Sequence, residues 1–132
     1  MTKATILLAH GSSDANWLAP FETLTAQIQA GLNGENLMLG YMELAEPTLE
    51  TCVRRLATEG VKDIDVLPLF FAAGRHLRKD VPQMIDELIQ ELSTNGHTIN
   101  IRLSAPVGLE PEVANAIASI VTRKVKHHDS QQ

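Results

Sequence analysis

Residues Ala4–Ala9 form an aliphatic, β-branched run that stops at His10-Gly11-Ser12-Ser13, the pattern of a strand buried on both faces and followed by a polar turn. Trp17, Phe21, Leu24, Ile28 and Leu32 then recur at helical spacing up to Gly31 and Asn33-Gly34, which predicts an amphipathic helix with a glycine-rich stop. The alternation repeats. Leu37–Glu43 reads as a second strand, Pro47 as the start of a helix carrying Leu49, Cys52, Val53 and Leu56, and Gly60 as its end. Ile64–Leu69 is the third strand, and a longer connection, Phe70–Lys79, leads to a helix with Val81, Met84, Ile85, Leu88 and Leu92 on one face. Thr98–Leu103 is the fourth strand, and Pro111 begins a last helix along Val113, Ile117, Ile120 and Val121. Four βα units in succession predict an α/β fold: a four-stranded parallel sheet with helices on both faces, in the common doubly wound order 2-1-3-4. Residues 1–125 form one domain on this reading, and residues 126–132 a disordered tail.

Composition narrows the class. The chain has 132 residues, 44% apolar and 20% charged, the mix of a single globular domain able to bury a core without disulfides. Lys and Arg number 11 against 16 Asp and Glu, a net charge of −5, the wrong sign for gripping a nucleic-acid backbone. The lone Cys52 excludes an internal disulfide, an iron–sulfur cluster or a cysteine-rich zinc site, so any metal must use His and carboxylates. No stretch approaches the roughly 18 apolar residues of a membrane span, and no signal-peptide pattern follows the start, so the chain reads as cytoplasmic, with no membrane partner.

In open α/β sheets ligands bind beyond the carboxyl ends of the strands. Three such loops carry chemistry here. Strand one ends at His10, strand two at Glu43, and the connection after strand three holds His76; the order 2-1-3-4 makes these ends neighbours on one rim. A single strand-end His is ordinarily a half-buried ring bonded to its loop, but two with a carboxylate form a set suited to divalent Fe, Co, Ni or Zn. A carboxylate closing an apolar strand must be solvated, paired or coordinating, which ranks Glu43 above Glu46, a residue that Pro47 would place at a helix N-terminus. Arg75, Arg78 and Lys79 concentrate positive charge beside His76, as a solvated loop or as a cradle for a polyanion. Asp80 is expected to cap the following helix. Cys52 lies at core spacing, Tyr41 and Met42 are candidates to line the cleft, and His97, His127 and His128 read as ordinary surface residues.

These residues stand in segments, LLAHGSSDANW, MELAEPTLE and VLPLFFAAGRHLRKDVP, in which the chain resembles the small CbiX-type sirohydrochlorin chelatases, the class II chelatases of tetrapyrrole pathways. The resemblance covers nearly the whole chain. It implies ATP-independent insertion of a divalent metal into sirohydrochlorin, in cobalamin or sirohaem biosynthesis, with the metal as substrate and no permanently bound cofactor. It implies His10 and His76 as the metal-binding, proton-accepting pair with Glu43 as third ligand, and Ser12, Ser13, Tyr41, Arg75, Arg78 and Lys79 toward the macrocycle. Many relatives read HGSR where Ser13 stands here, so that positive charge is missing from this chain. The half-size length implies a symmetric homodimer. A phosphohistidine reading of the HGSS loop leaves Glu43 and His76 unexplained, whereas a non-catalytic metal or tetrapyrrole carrier would use the same residues.

Overall fold

Each aliphatic run becomes a strand of one parallel sheet in the computed structural model, which describes residues 2–130. The elements are β1 (Lys3–Ala9), α1 (Ala15–Ala30), β2 (Asn36–Tyr41), α2 (Leu49–Thr58), β3 (Asp63–Pro68), a single π-helical turn (His76–Asp80), α3 (Val81–Thr94), β4 (Asn100–Leu103), a 3-10 turn (Val107–Leu109) and α4 (Pro111–Ser130). The strand order is β2-β1-β3-β4, as the βα pattern predicts, and all three pairings are parallel.

Alternation along the strands divides the sheet into two unequal faces. Ala4, Ile6 and Leu8 of β1 with Ile64 and Val66 of β3 meet Leu49, Cys52, Val53 and Leu56 of α2 and Val81, Ile85, Leu88 and Leu92 of α3 in one apolar cluster. This is the core. Cys52 is fully buried, and burial pushes its thiol up to about 11, so it is a neutral packing group, not a nucleophile. Arg54 of α2 grips Glu91 of α3 through two hydrogen bonds of 2.8 and 3.0 Å, tying the paired helices on the solvent side.

On the other face Leu7, Ala9 and Tyr41 are buried and α1 packs along β2, while β3 and β4 present a polar ladder. Arg102 donates to Asp65 at 2.8 Å and Asn100 to Asp63 at 3.4 Å. No residue of α1 is buried: Trp17 and Leu24 remain 42% and 39% exposed, and Trp17 packs on Phe21 of its own helix. The stripe expected to enter the core is therefore largely uncovered in the single chain. α4 shows the same property, with Ile117, Ile120, Val121 and Val125 exposed. It also continues as helix through Ser130, where a disordered tail from residue 126 is predicted; Gln131 and Gln132 lie outside the described residues.

Several boundaries differ from the sequence reading for local reasons. β2 closes at Tyr41, not Glu43, because the Tyr41 amide turns to the Pro47 carbonyl at 2.9 Å and the chain bends away. The Glu46–Pro47 peptide is cis, and Pro47 lies in a bend; α2 starts two residues later, after the extended Thr48, whose hydroxyl caps it by accepting from the Thr51 amide at 3.2 Å. Glu46 thus precedes the helix cap, and its carboxylate accepts from the Thr51 hydroxyl at 3.4 Å. Asp80 has helical backbone continuous with the turn before it and makes no capping hydrogen bond. Ile6 is fully buried in the central strand, so Ile6→Ala should cost about 2–5 kcal/mol, whereas loss of the cap in Thr48→Ala should cost about 1 kcal/mol. Urea midpoints at unchanged m-value measure both, and equal losses would contradict this division of the core.

Candidate functional site

The rim is built by continuing the sheet's hydrogen bonds past its strands. The Met42 amide donates to Ala9 O at 2.9 Å, the Glu43 amide to His10 O at 3.3 Å and the Leu69 amide to Leu8 O at 2.8 Å. Backbone bonds thereby bring His10 and the Glu43 segment side by side. Gly11, at φ 89°, permits this approach: a Cβ there would overlap the Glu43 carbonyl oxygen and press on Tyr41 Cβ. Leu44 is held at φ 65°, a conformation costly for a branched side chain, and projects its 68%-exposed side chain from the rim beside Glu43.

On its other side His10 stacks on Phe70, with ring centroids 4.1 Å apart and planes inclined by 14°. Phe70 is buried and belongs to the core, so it transmits the rigidity of the sheet to an exposed imidazole. Its own carbonyl accepts the Gly108 amide at 3.0 Å, and a Cβ on Gly108 would overlap the Phe71 backbone. The 3-10 turn after β4 therefore braces the aromatic that braces His10. Sequence reading passes over Phe70 and Gly108, since an apolar residue next to a strand signals only packing; a stacking partner is visible only in three dimensions.

His76 opens the π-helical turn; its side chain lies outside the described residues. Within that turn Leu77 is 4% exposed and enters the core, and the Arg78 amide closes on Gly74 O at 3.1 Å. Arg75, Arg78 and Lys79 are exposed around this anchor. Among the described residues no three His, Cys, Asp or Glu side chains are grouped to hold a metal ion. Ser12 accepts the Asp14 amide at 3.0 Å, and Asp14 caps α1 through the Asn16 amide at 2.9 Å; Ser13 is exposed.

Tyr41 is separated from this group. Its β-carbon supports Gly11, but the residue is 2% exposed and its ring lines a cleft against α1, so the structure does not place its phenol with His10. Burial, and then the field of Glu22, raise its pKa. His97 sits half-buried in the turn before β4, at the opposite end of the sheet, and His127 lies on α4; the His128 side chain lies outside the described residues.

A parallel α/β sheet with an imidazole and a carboxylate segment joined at its carboxyl rim defines the class: a small doubly wound domain with a polar strand-end site. The CbiX family profile matches residues 4–124, and the chain belongs to that family. It is 34% identical over 82 residues to a sirohydrochlorin cobaltochelatase of Methanopyrus kandleri, covering 62% of this chain and 57% of that protein. A second sirohydrochlorin cobaltochelatase, of Sulfurisphaera tokodaii, is 30% identical over 78 residues, covering 59% and 58%. The matched segments thus span under three-fifths of these two relatives. Among solved structures, a CbiX protein of Marinobacter aquaeolei VT8 superposes with TM-score 0.81 at 46% identity, covering 95% of this chain and 98% of that one. The chelatase SirB of Bacillus subtilis subspecies spizizenii, in complex with cobalt, shares the fold at TM-score 0.79 and 24% identity, covering 93% of this chain and 51% of that one.

Gly11 and Gly34 have almost the same φ, 89° and 85°, but only Gly11 faces backbone; nothing lies within 4 Å of a Cβ at Gly34. Gly34→Ala should therefore cost about 1–2 kcal/mol from the left-handed backbone alone, and Gly11→Ala clearly more, because the Glu43 segment must move. Chemical denaturation of the two variants checks this; equal costs would show that the His10 and Glu43 segments are not locked together.

Proposed function

We propose that this protein inserts a divalent metal ion into a sirohydrochlorin-type tetrapyrrole without ATP. The observation that carries the reading is an exposed His10 held between the Glu43 segment and the buried Phe70 ring at the carboxyl rim of a CbiX-family sheet. Insertion exchanges two pyrrole N–H protons for the metal ion, so the site needs ligands that hold the ion loosely and a base that works near neutrality. Imidazole serves both ends. In this reading His10, Glu43 and His76 hold the incoming ion, and the two imidazoles take the departing protons. Stacking on Phe70 fixes the plane of the His10 ring, and with it the directions from which its nitrogens meet metal or pyrrole. Arg75, Arg78 and Lys79 face the substrate's carboxylates, with Ser12 and Ser13 beside them. Leu44 and Phe71, 68% and 69% exposed, offer apolar contact to the macrocycle.

The relatives' names favour Co²⁺ and hence a role in cobalamin synthesis, with Fe²⁺ and Ni²⁺ compatible with the same donors. No helix among the described residues is long and apolar enough to cross a membrane, and we assign the protein to the cytoplasm. Mixing it with sirohydrochlorin and each metal in turn, and following the absorption change against the uncatalysed rate, tests the reading. His10→Ala and His76→Ala should each reduce kcat far more than tetrapyrrole affinity. Neutralising Arg75, Arg78 and Lys79 should instead raise KM, about tenfold for a lost interaction of roughly 1.4 kcal/mol. Tetrapyrrole binding with no accelerated insertion for any metal would identify a carrier and overturn the enzymatic reading.

We further propose that the functional unit is a homodimer. The uncovered apolar faces of α1 and α4 support this: Ile117, Ile120, Val121 and Val125 of α4 and Trp17 and Leu24 of α1 are large apolar side chains left exposed, the kind of patch that marks an association surface. Ile117 and Val121, 40% and 52% exposed, should then control assembly. The double substitution Ile117→Glu, Val121→Glu is expected to yield a folded monomer in sedimentation velocity; a parent that is already monomeric where it is active would refute the dimer.

A further inference from the structure

α4 runs for 20 residues, about 30 Å, yet among the described residues it packs on the 3-10 turn at its root and forms no layer against the sheet or another helix. Every residue from Ala114 to His127 is exposed. One side nevertheless carries Ile117, Ile120, Val121 and Val125, spaced as a helix spaces a stripe that it buries. The projection is built into the chain. The Gly108 amide holds Phe70 O at 3.0 Å and the Glu110 amide closes on Val107 O at 3.0 Å. Glu110 is extended, at φ −71° and ψ 137°, as the residue before Pro111 must be, and this sets the direction in which the helix leaves. The sheet face that the doubly wound fold would leave for α4 is no bed for it, since β3 and β4 present the paired ladder of Asp63, Asp65, Asn100 and Arg102 there.

We propose that α4 is an exchanged arm: in a pair of copies, each α4 lays its apolar stripe along the α1 of the other. The inference rests on the homodimer proposed above and says how that dimer is made. α1 is the complementary surface. None of its residues is buried, and Trp17, Phe21, Leu24 and Ile28 form a stripe of comparable length in which Trp17 and Leu24 stay exposed. Charge agrees with the match. Residues 4–53, which include α1, hold six carboxylates and no Lys or Arg, whereas α4 bears Arg123, Lys124 and Lys126, so arm and acceptor attract. A seam between the two copies of α4 would leave both copies of α1 as wet as before, while exchange covers both apolar faces in each copy at once. Two arms and two acceptors related by a two-fold axis also close the assembly at two chains.

Complementation between two full-length variants tests the exchange. The arm variant, Ile117→Glu with Val121→Glu, keeps an intact acceptor. The acceptor variant, Leu24→Arg, keeps an intact arm and sets a cation against its basic end; Trp17→Arg takes its place if Leu24→Arg does not fold. Each variant alone should sediment as a monomer where the parent is a dimer. An equimolar mixture should form a heterodimer held by one arm of the two, with a Kd about tenfold or more above the parent's. Adding unlabelled acceptor variant to the ¹⁵N-labelled arm variant should shift the α1 amides of the labelled chain and leave its α4 amides in place, which detects even a weak complex. Exchange is overturned, with the dimer left standing, if either variant alone remains dimeric or if the mixture shifts no α1 amide. A parent that is monomeric where it is active overturns both the exchange and the dimer.

Discussion

The central strand β1 is bonded on both edges, to β2 and to β3, and its carbonyls go on accepting amides after the strands end. Ala9 O and His10 O take the Met42 and Glu43 amides, and Leu8 O takes that of Leu69. Every side chain of the rim inherits its place from these bonds. His10 is positioned by the backbone on one side and by an aromatic ring on the other, and both supports lead into the apolar cluster beneath. An exposed imidazole ordinarily samples several rotamers; here the ring has a wall, so ordering it costs little at the moment a ligand arrives.

Much of this was legible in the linear pattern because parallel strands and their covering helices have strict periodicities. The four aliphatic runs locate β1 to β4, and their alternation with helical stripes gives the doubly wound order, which in turn makes the ends carrying His10 and Glu43 neighbours. Boundaries were less legible where a tertiary bond overrides a local signal. Pro47 looks like a helix start, yet its carbonyl is bound by Tyr41, so the helix waits for Thr48. Asp80 looks like a cap, yet a π-helical turn runs into α3 and leaves no extended backbone for capping. Phe70 was invisible as a site residue because stacking depends on two loops meeting, which no spacing encodes. Tyr41 sits next to the rim in sequence but belongs, by strand alternation, to the opposite side of the sheet from Met42.

The helices teach a different lesson. An apolar stripe says that a helix face avoids water; it does not say what covers it. The stripes of α2 and α3 find the sheet, while those of α1 and α4 stay exposed in the single chain. The difference lies in the sheet beneath. Toward α2 and α3 it offers Ile6, Leu8, Ile64 and Val66, but on the other side β3 and β4 offer Asp63, Asp65 and Arg102, already paired with one another. Those exposed pairs add little stability themselves, yet they make that half of the sheet a poor bed for an apolar helix.

Among the described side chains of residues 75–79, Leu77 is the buried one. Leu77 drops into the core while the residues on either side of it, Arg75, Arg78 and Lys79, stay on the surface. Apolar burial is thus concentrated in one position, while the Arg75, Arg78 and Lys79 side chains keep to solvent. Those three positions can change charge, and so the field along the rim, by single surface substitutions that cost little stability. Selection acting on that field would meet little resistance from selection acting on stability, and related chains could diverge there while keeping one scaffold.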